Sequence, residues 1–245
     1  MKRVLPILFN TEMVQAILSG EKCCTRRIVK CKYSNTELKM RTDKYGTYLI
    51  EIQQDIEGET HGKRPDGTSW YQLLPFIEKK PPYRIGDILY VRETWCWFPC
   101  WDCGMDTGDG CTDKEANRIH DTNKKEYGCY AYRASFADTE QPFDKWHPSI
   151  HMPKEAARIW LRVTDVRAER LQEITVDEAK KEGANLRNGK NVGWQEKWYH
   201  TAIERFEKIW NSTIKKADME KYGWAANPWV WVIEFVPCKK PDGDG

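Results

Sequence analysis

Gly20-Glu21-Lys22-Cys23-Cys24-Thr25-Arg26-Arg27 is the stretch on which the reading of this chain turns. It follows a short amphipathic run, Asn10 to Ser19, with helical spacing. Asn10 can cap that helix, Met13, Val14, Ile17 and Leu18 form its apolar stripe, and Gly20 can end it. A lysine, a threonine and two arginines then fall within six positions, and no acid follows Glu21 until Glu37. A glycine turn that presents cations and a hydroxyl suits an anion or a nucleic acid. The alternative is a solvated basic turn after a helix. Lys22, Arg26, Arg27, Lys30 and Lys32 make the densest basic cluster of the chain.

The 245 residues suit one large domain, or one core with sizeable insertions. Charged residues make up 31% and mean hydropathy is -0.76, and no apolar run approaches the roughly 20 residues of a membrane span. No membrane partner is expected. Met1 to Phe9 has a basic start, but Pro6 breaks a short apolar stretch, so it reads as a first strand and not a signal peptide. A cytoplasmic protein is the expectation. The net charge of +2 excludes a globally basic nucleic-acid clamp, so any such contact must be local. Twelve tryptophans supply core and, at some positions, stacking surfaces for a base. Nine cysteines without a secretory signal point to reduced thiols or a metal, not a disulfide framework.

Strand patterns occur at Val4 to Phe9, within Lys44 to Gln53, from Ile88 to Trp95 after a Gly86-Asp87 turn, at Cys129 to Ala134, from Arg158 to Thr164, and at Trp229 to Val236. The last is apolar on both faces and is expected at the centre of a sheet. Thr175-Val176-Asp177-Glu178 is a capping box for a helix that Gly183 can stop. Trp198, Ala202, Phe206, Ile209 and Trp210 mark the core face of a longer helix. Two polar stretches, about 32–83 and 97–128, read as insertions in a single domain over 1–237, with a polar tail at 238–245. A third, Asn185 to Gly193, is a Gly/Asn loop. Many short strands with few helices and no βαβ alternation predict an α+β fold, a small closed or partly open barrel with flanking helices, rather than a doubly wound sheet.

Taken together these segments resemble the ASCH family, a branch of the PUA-like β-barrel superfamily. Gly20, Lys22 and Arg27 fit its G-x-K-x-x-x-x-R signature. Gly86-Asp87 with Val91-Arg92-Glu93-Thr94-Trp95 fits a second landmark, and Asp177 to Gly183 a third. Trp146 to Pro153 and Asn227 to Phe235 look like the longer, phage- or prophage-type members. The resemblance covers about 60% of the chain. It implies a PUA-like barrel with a concave basic cleft and a role in binding or metabolising RNA. Some small members hydrolyse the amide of N4-acetylcytidine with a lysine, a threonine three residues on, and a glutamate late in the helix after the barrel strands. Those positions here are Lys22, Thr25 and Glu182.

That triad is chemically coherent. A threonine hydroxyl attacks only once a base takes its proton. A lysine does so when burial or cations such as Arg26 and Arg27 disfavour its charged form. A glutamate can then pass a proton to the leaving amine, or hold the exocyclic nitrogen of the base. The chain departs from the small enzymes in being more than twice their size and in placing Cys23-Cys24 where they have a threonine-rich turn. Three functions stay open: an amidohydrolase of N4-acylated cytidine, a non-catalytic module for RNA or a modified nucleoside, and a ribonuclease.

Gly20, Arg26 and Arg27 are the candidate binding residues beside the triad. Arg92, Glu93, Trp95, Trp146, Ser149 and His151 extend the set. Glu93 can accept from a base edge while Trp95 or Trp146 stacks on its face. A self-satisfied Arg92–Glu93 network, and a structural histidine, are the alternatives. Cys100-Trp101-Asp102-Cys103 is a knuckle, and with Cys111 and a fourth thiolate it would make a closed tetrahedral site for a structural zinc ion. Cys129 is favoured for the fourth ligand over Cys96, which continues the strand of Trp95.

Overall fold

A computed structural model describes residues 3–34, 36–44, 46–53, 61–63, 65–66, 69–71, 76–99, 119–121, 126–136, 145–184 and 201–241. Its strands are β1 (Val4–Leu8), β2 (Cys24–Ile28), β3 (Thr36–Asp43), β4 (Gly46–Gln53), β5 (His61–Lys63), β6 (Ser69–Tyr71), β7 (Phe76–Glu78), β8 (Ile88–Arg92), β9 (Trp95–Pro99), β10 (Ile119–Asp121), β11 (Glu126–Tyr132), β12 (Trp160–Arg170) and β13 (Trp229–Cys238). Its α-helices are α1 (Thr11–Leu18), α2 (Val176–Lys181), α3 (Ala202–Thr213) and α4 (Met219–Tyr222). The protein is α+β.

Five strands form the main sheet in the order β1-β8-β12-β13-β2. The β1–β8 pair is parallel and the others are antiparallel. The apolar run at Trp229 lies between β12 and β2, as its two apolar faces require. Trp231, Ile233 and Phe235 enter one packed cluster, Val230 and Val232 another. The first cluster takes Val14 and Ile17 from α1. The second takes Ala179 from α2 and Phe206 and Trp210 from α3. A third cluster, with Ile88, Tyr132, Met152 and Trp160, packs on the other half of the sheet.

Among the described residues this hydrogen-bonded order is open, with β1 and β2 at its edges, and does not close into a barrel. Pro6 suits β1 to an edge, because it has no N–H to give a further strand, and the Tyr83 hydroxyl donates to its carbonyl at 2.8 Å. The edge at β2 is met by the end of α2, described below.

Stretches expected to be insertions contain sheets of their own. β3, β4 and β7 form one, which reaches the main core through Leu49 and Leu38, and Trp229 Nε1 donates to the Leu38 carbonyl at 3.0 Å. The buried Glu51 carboxylate ties this sheet to the turn before it. It accepts from the Lys32 and Tyr33 amides (2.7 and 2.9 Å), the Thr36 hydroxyl (2.5 Å) and Lys79 Nζ (3.0 Å). β9, β10 and β11 form another sheet, in the order β10-β11-β9.

Three expectations are corrected. The stretch from Ile88 to Trp95 is not one strand: it breaks after Arg92, and β8 and β9 join different sheets. The strand beginning near Arg158 runs on to Arg170, with a register shift between Val163 and Asp165. Cys24 to Ile28 is not a solvated basic turn but edge strand β2, with Cys24, Thr25 and Arg26 buried.

Candidate active site

The helix end that carries Lys22 is built as its residues dictate. Asn10 Oδ1 accepts from the Met13 amide at 2.8 Å, and Gly20 turns the chain in the left-handed region at φ +75°. The Lys22 amide then reaches back to the Ala16 carbonyl at 2.9 Å. Thr175 and Glu178 form the expected capping box of α2, and Gly183 leaves that helix at φ +88°. A Cβ on Gly183 would lie 3.0 Å from Ala16 Cβ, so the end of α2 abuts α1. The Cys23 amide donates to the Lys181 carbonyl at 2.9 Å. Two helices far apart in sequence thus meet at the start of β2.

Lys22 and Glu182 meet there. Lys22 Nζ donates to Glu182 Oε2 at 2.5 Å and to the Glu182 carbonyl at 2.9 Å. The lysine side chain is 0% exposed and that of the glutamate 6%. The ammonium also lies 5.7 Å from the centre of the Phe9 ring. The other carboxylate oxygen, Oε1, accepts from Arg26 Nη1 at 3.4 Å.

Alternation along β2 separates its side chains. Arg26 faces the α2 and α3 layer, 5.8 Å over Phe206, where its Nη2 is 3.2 Å from both Glu169 and Glu178. Its Nε has no hydrogen-bond partner among the described residues. Arg167 completes this layer by pairing with Asp165, Glu169, Glu178 and Glu234. Burial pushes the Glu178 carboxyl up, but the Thr175 amide, Arg26, the Thr175 hydroxyl and Arg167 together hold it below its ordinary value. Burial, helped by the Glu182 charge, pushes the Cys24 thiol far above its ordinary value, so it stays protonated at neutral pH.

Thr25 and Arg27 face the other way, toward the cluster that holds Phe9 and Ile233. Thr25 is 3% exposed, and among the described residues no hydrogen bond reaches its hydroxyl. Arg27 Nη2 donates to the Leu8 carbonyl at 2.8 Å, and its guanidinium lies 5.3 Å over the Phe9 ring on which Lys22 also rests. Burial lowers the Arg27 pKa from its ordinary value, with Tyr83 and Glu182 opposing. Among the described residues Arg27 has no carboxylate within ion-pair distance, unlike Lys22 and Arg26.

The remaining candidates form a second group around the third cluster. Glu93, 1% exposed, is held by both Arg158 Nε and Nη2 at 2.9 Å. The satisfied network is therefore Glu93–Arg158 and not Arg92–Glu93, which leaves Glu93 enclosed rather than offered to a base edge. Arg92 Nε donates to the Met152 carbonyl at 2.8 Å. The Trp95 ring contacts Tyr130 edge-on at 5.5 Å and His147 at 5.1 Å, and Trp146 lies 5.8 Å from Phe136. Ser149 and His151 share a short 3-10 turn, on which His151 is exposed.

Cys100, Cys103 and Cys111 lie outside the described residues. Cys129 is on β11 opposite Phe98, and Cys96 is a free thiol on β9. Among the described residues no group of three or more potential ligands could hold a metal, and no helix is long and apolar enough to cross a membrane.

Sequence reasoning missed Phe9 as the common floor, and the Arg167 layer with Glu169. Their signal was present, since Asp165, Arg167 and Glu169 alternate with Val166 and Ala168, a period-two continuation of β12. Comparison of the chain with protein-family models, with curated proteins and with solved structures found no match.

Proposed function

We propose that this is a PUA-like protein of the ASCH type, and that Lys22, Thr25 and Glu182 hydrolyse the amide of an N4-acylated cytidine. The observation that carries the reading is the buried 2.5 Å contact between Lys22 and Glu182; Thr25, three residues after Lys22 in the chain, is also buried, and no described residue engages its hydroxyl. A proton that crosses this contact leaves an amine on Lys22 and an acid on Glu182. The amine takes the Thr25 proton as the hydroxyl oxygen bonds to the acyl carbon. Arg27 faces the same side as Thr25 with no carboxylate partner among the described residues, and suits the oxyanion that forms. Glu182 then gives its proton to N4 as the C–N bond breaks, which releases cytidine and leaves an ester on Thr25. Water, deprotonated by the same pair, cleaves the ester to the carboxylic acid and restores the hydroxyl.

The charge balance supports a nucleoside over a polyanion at this point. Lys22, Arg26, Arg27 and Arg167 stand against Asp165, Glu169, Glu178, Glu182 and Glu234, four cations to five carboxylates. A non-catalytic module for RNA or a modified nucleoside is the second reading. It draws on the full burial of the Lys22 side chain, which suits a fixed structural pair as well as a reactive one.

Incubation of the purified protein with N4-acetylcytidine, followed by chromatography, separates the two. Cytidine and acetate in equal amounts support the enzyme. No turnover, with nucleic-acid binding that weakens as salt rises, supports the module.

A further inference from the structure

We infer that Arg26 is a positioning residue, which fixes the Glu182 carboxylate on Lys22 and is itself held by a layer of carboxylates fastened through Arg167. The inference rests on the catalytic reading of Lys22, Thr25 and Glu182 and concerns a residue that does not touch the substrate.

Glu182 is the residue just past the end of α2, and its side chain has no partner on its own helix. Its two oxygens are divided. Oε2 meets Lys22 and Oε1 meets Arg26 Nη1. Without Arg26, nothing described holds Oε1, and the carboxylate can rotate about its terminal torsion, which has broad minima. Arg26 is in turn immobilised. Its side chain is 0% exposed, with Nη2 held by Glu169 and Glu178. Glu178 is anchored by the capping box, and both glutamates are paired with Arg167. The planar guanidinium can meet all three glutamates from one side chain, which a lysine ammonium on a flexible stem does less well. The chain thus places a rigid strut behind the pair. The strut spans β2, β12, β13 and α2, the elements that carry Arg26, Glu169 with Arg167, Glu234 and Glu178.

The test uses Arg26→Met and Arg26→Lys in the full chain, each also combined with Glu182→Gln, with N4-acetylcytidine as substrate. A misplaced catalytic carboxylate costs about 100-fold. Arg26→Met should therefore lower kcat by about 100-fold with KM changed less than about 3-fold. In the Glu182→Gln background the same substitution should change kcat by less than about 3-fold, because Arg26 acts through Glu182. Arg26→Lys should recover part of the loss. An equal fall in both backgrounds, or wild-type kcat in Arg26→Met, overturns the inference. If Arg26→Met does not fold, Arg26→Lys decides, and wild-type kcat in that variant overturns it.

If the wild type itself has no turnover, the catalytic reading fails and the strut is judged by crystallography of the folded variant. Glu182 displaced from Lys22 Nζ upholds the positioning role, and Glu182 unmoved overturns it.

Discussion

Breaking the Lys22–Glu182 pair from either side should cost different amounts. The structure fixes the sign of the difference. In Glu182→Met the Lys22 ammonium stays buried and keeps the residue-182 backbone carbonyl, with no described carboxylate within 4.0 Å. Breaking a buried pair in this way costs about 3–5 kcal/mol. In Lys22→Met the Glu182 carboxylate keeps Arg26 Nη1 at 3.4 Å and so remains paired. Its cost should be lower, about 1–3 kcal/mol, mostly lost hydrogen bonding. The double variant removes both charges and leaves apolar side chains of similar length. Its cost should fall short of the sum by at least about 1.5 kcal/mol. Urea unfolding at pH 7, followed by tryptophan fluorescence, measures all three. A Lys22→Met cost equal to or above that of Glu182→Met would refute the reasoning, as would additivity within about 0.5 kcal/mol.

Other outcomes follow from single residues. Gly183→Ala should destabilise by about 2–4 kcal/mol, since alanine there is strained at φ +88° and meets Ala16 Cβ at 3.0 Å. Gly20→Ala, at φ +75° with nothing within 4 Å, should cost only about 1 kcal/mol, and equal unfolding midpoints would dismiss the helix contact. Burial raises the Glu51 carboxyl, but the Thr36 hydroxyl, the Lys32 and Tyr33 amides and Lys79 outweigh it and bring it from 4.5 to about 2. Its contribution is therefore complete above about pH 4.5 and is lost as pH falls toward 2. Glu51→Gln should cost about 1–2 kcal/mol at pH 7 after screening, and the gap to wild type should close by pH 2 in an unfolding series. Elemental analysis under reducing conditions should find about one zinc per chain, released by Cys100→Ser or Cys103→Ser, and a metal-free protein would leave those thiols free.

Much of the frame was legible because local signals agreed with tertiary demand. The Asn10 cap, the Thr175–Glu178 box, and the glycines at 20, 86 and 183 all behave as their chemistry requires. The apolar run at Trp229 lies between strands for the same reason. What escaped was polar. Cys24 to Ile28 carries two arginines, and a hydropathy pattern cannot show that Arg26 is buried by carboxylates over 140 residues away. The second half of β12 does alternate with period two, but that pattern cannot show that its charged residues pair across the sheet and with α2. Lys22 and Glu182 were found together only through a family pattern, since no local rule links residues 160 apart. The partner of Glu93 was missed similarly, because Arg158 is 65 positions away while Arg92 is adjacent.

The most direct measurement compares kcat/KM on N4-acetylcytidine for wild type, Thr25→Ser and Thr25→Val. Valine keeps the volume in a site that is 3% exposed and removes only the hydroxyl that the reaction needs. A wild type that turns over, a serine variant within about 30-fold of it, and a valine variant lower by about 1,000-fold or more are the predicted results. A valine variant as active as wild type, or a wild type with no turnover, would contradict the account.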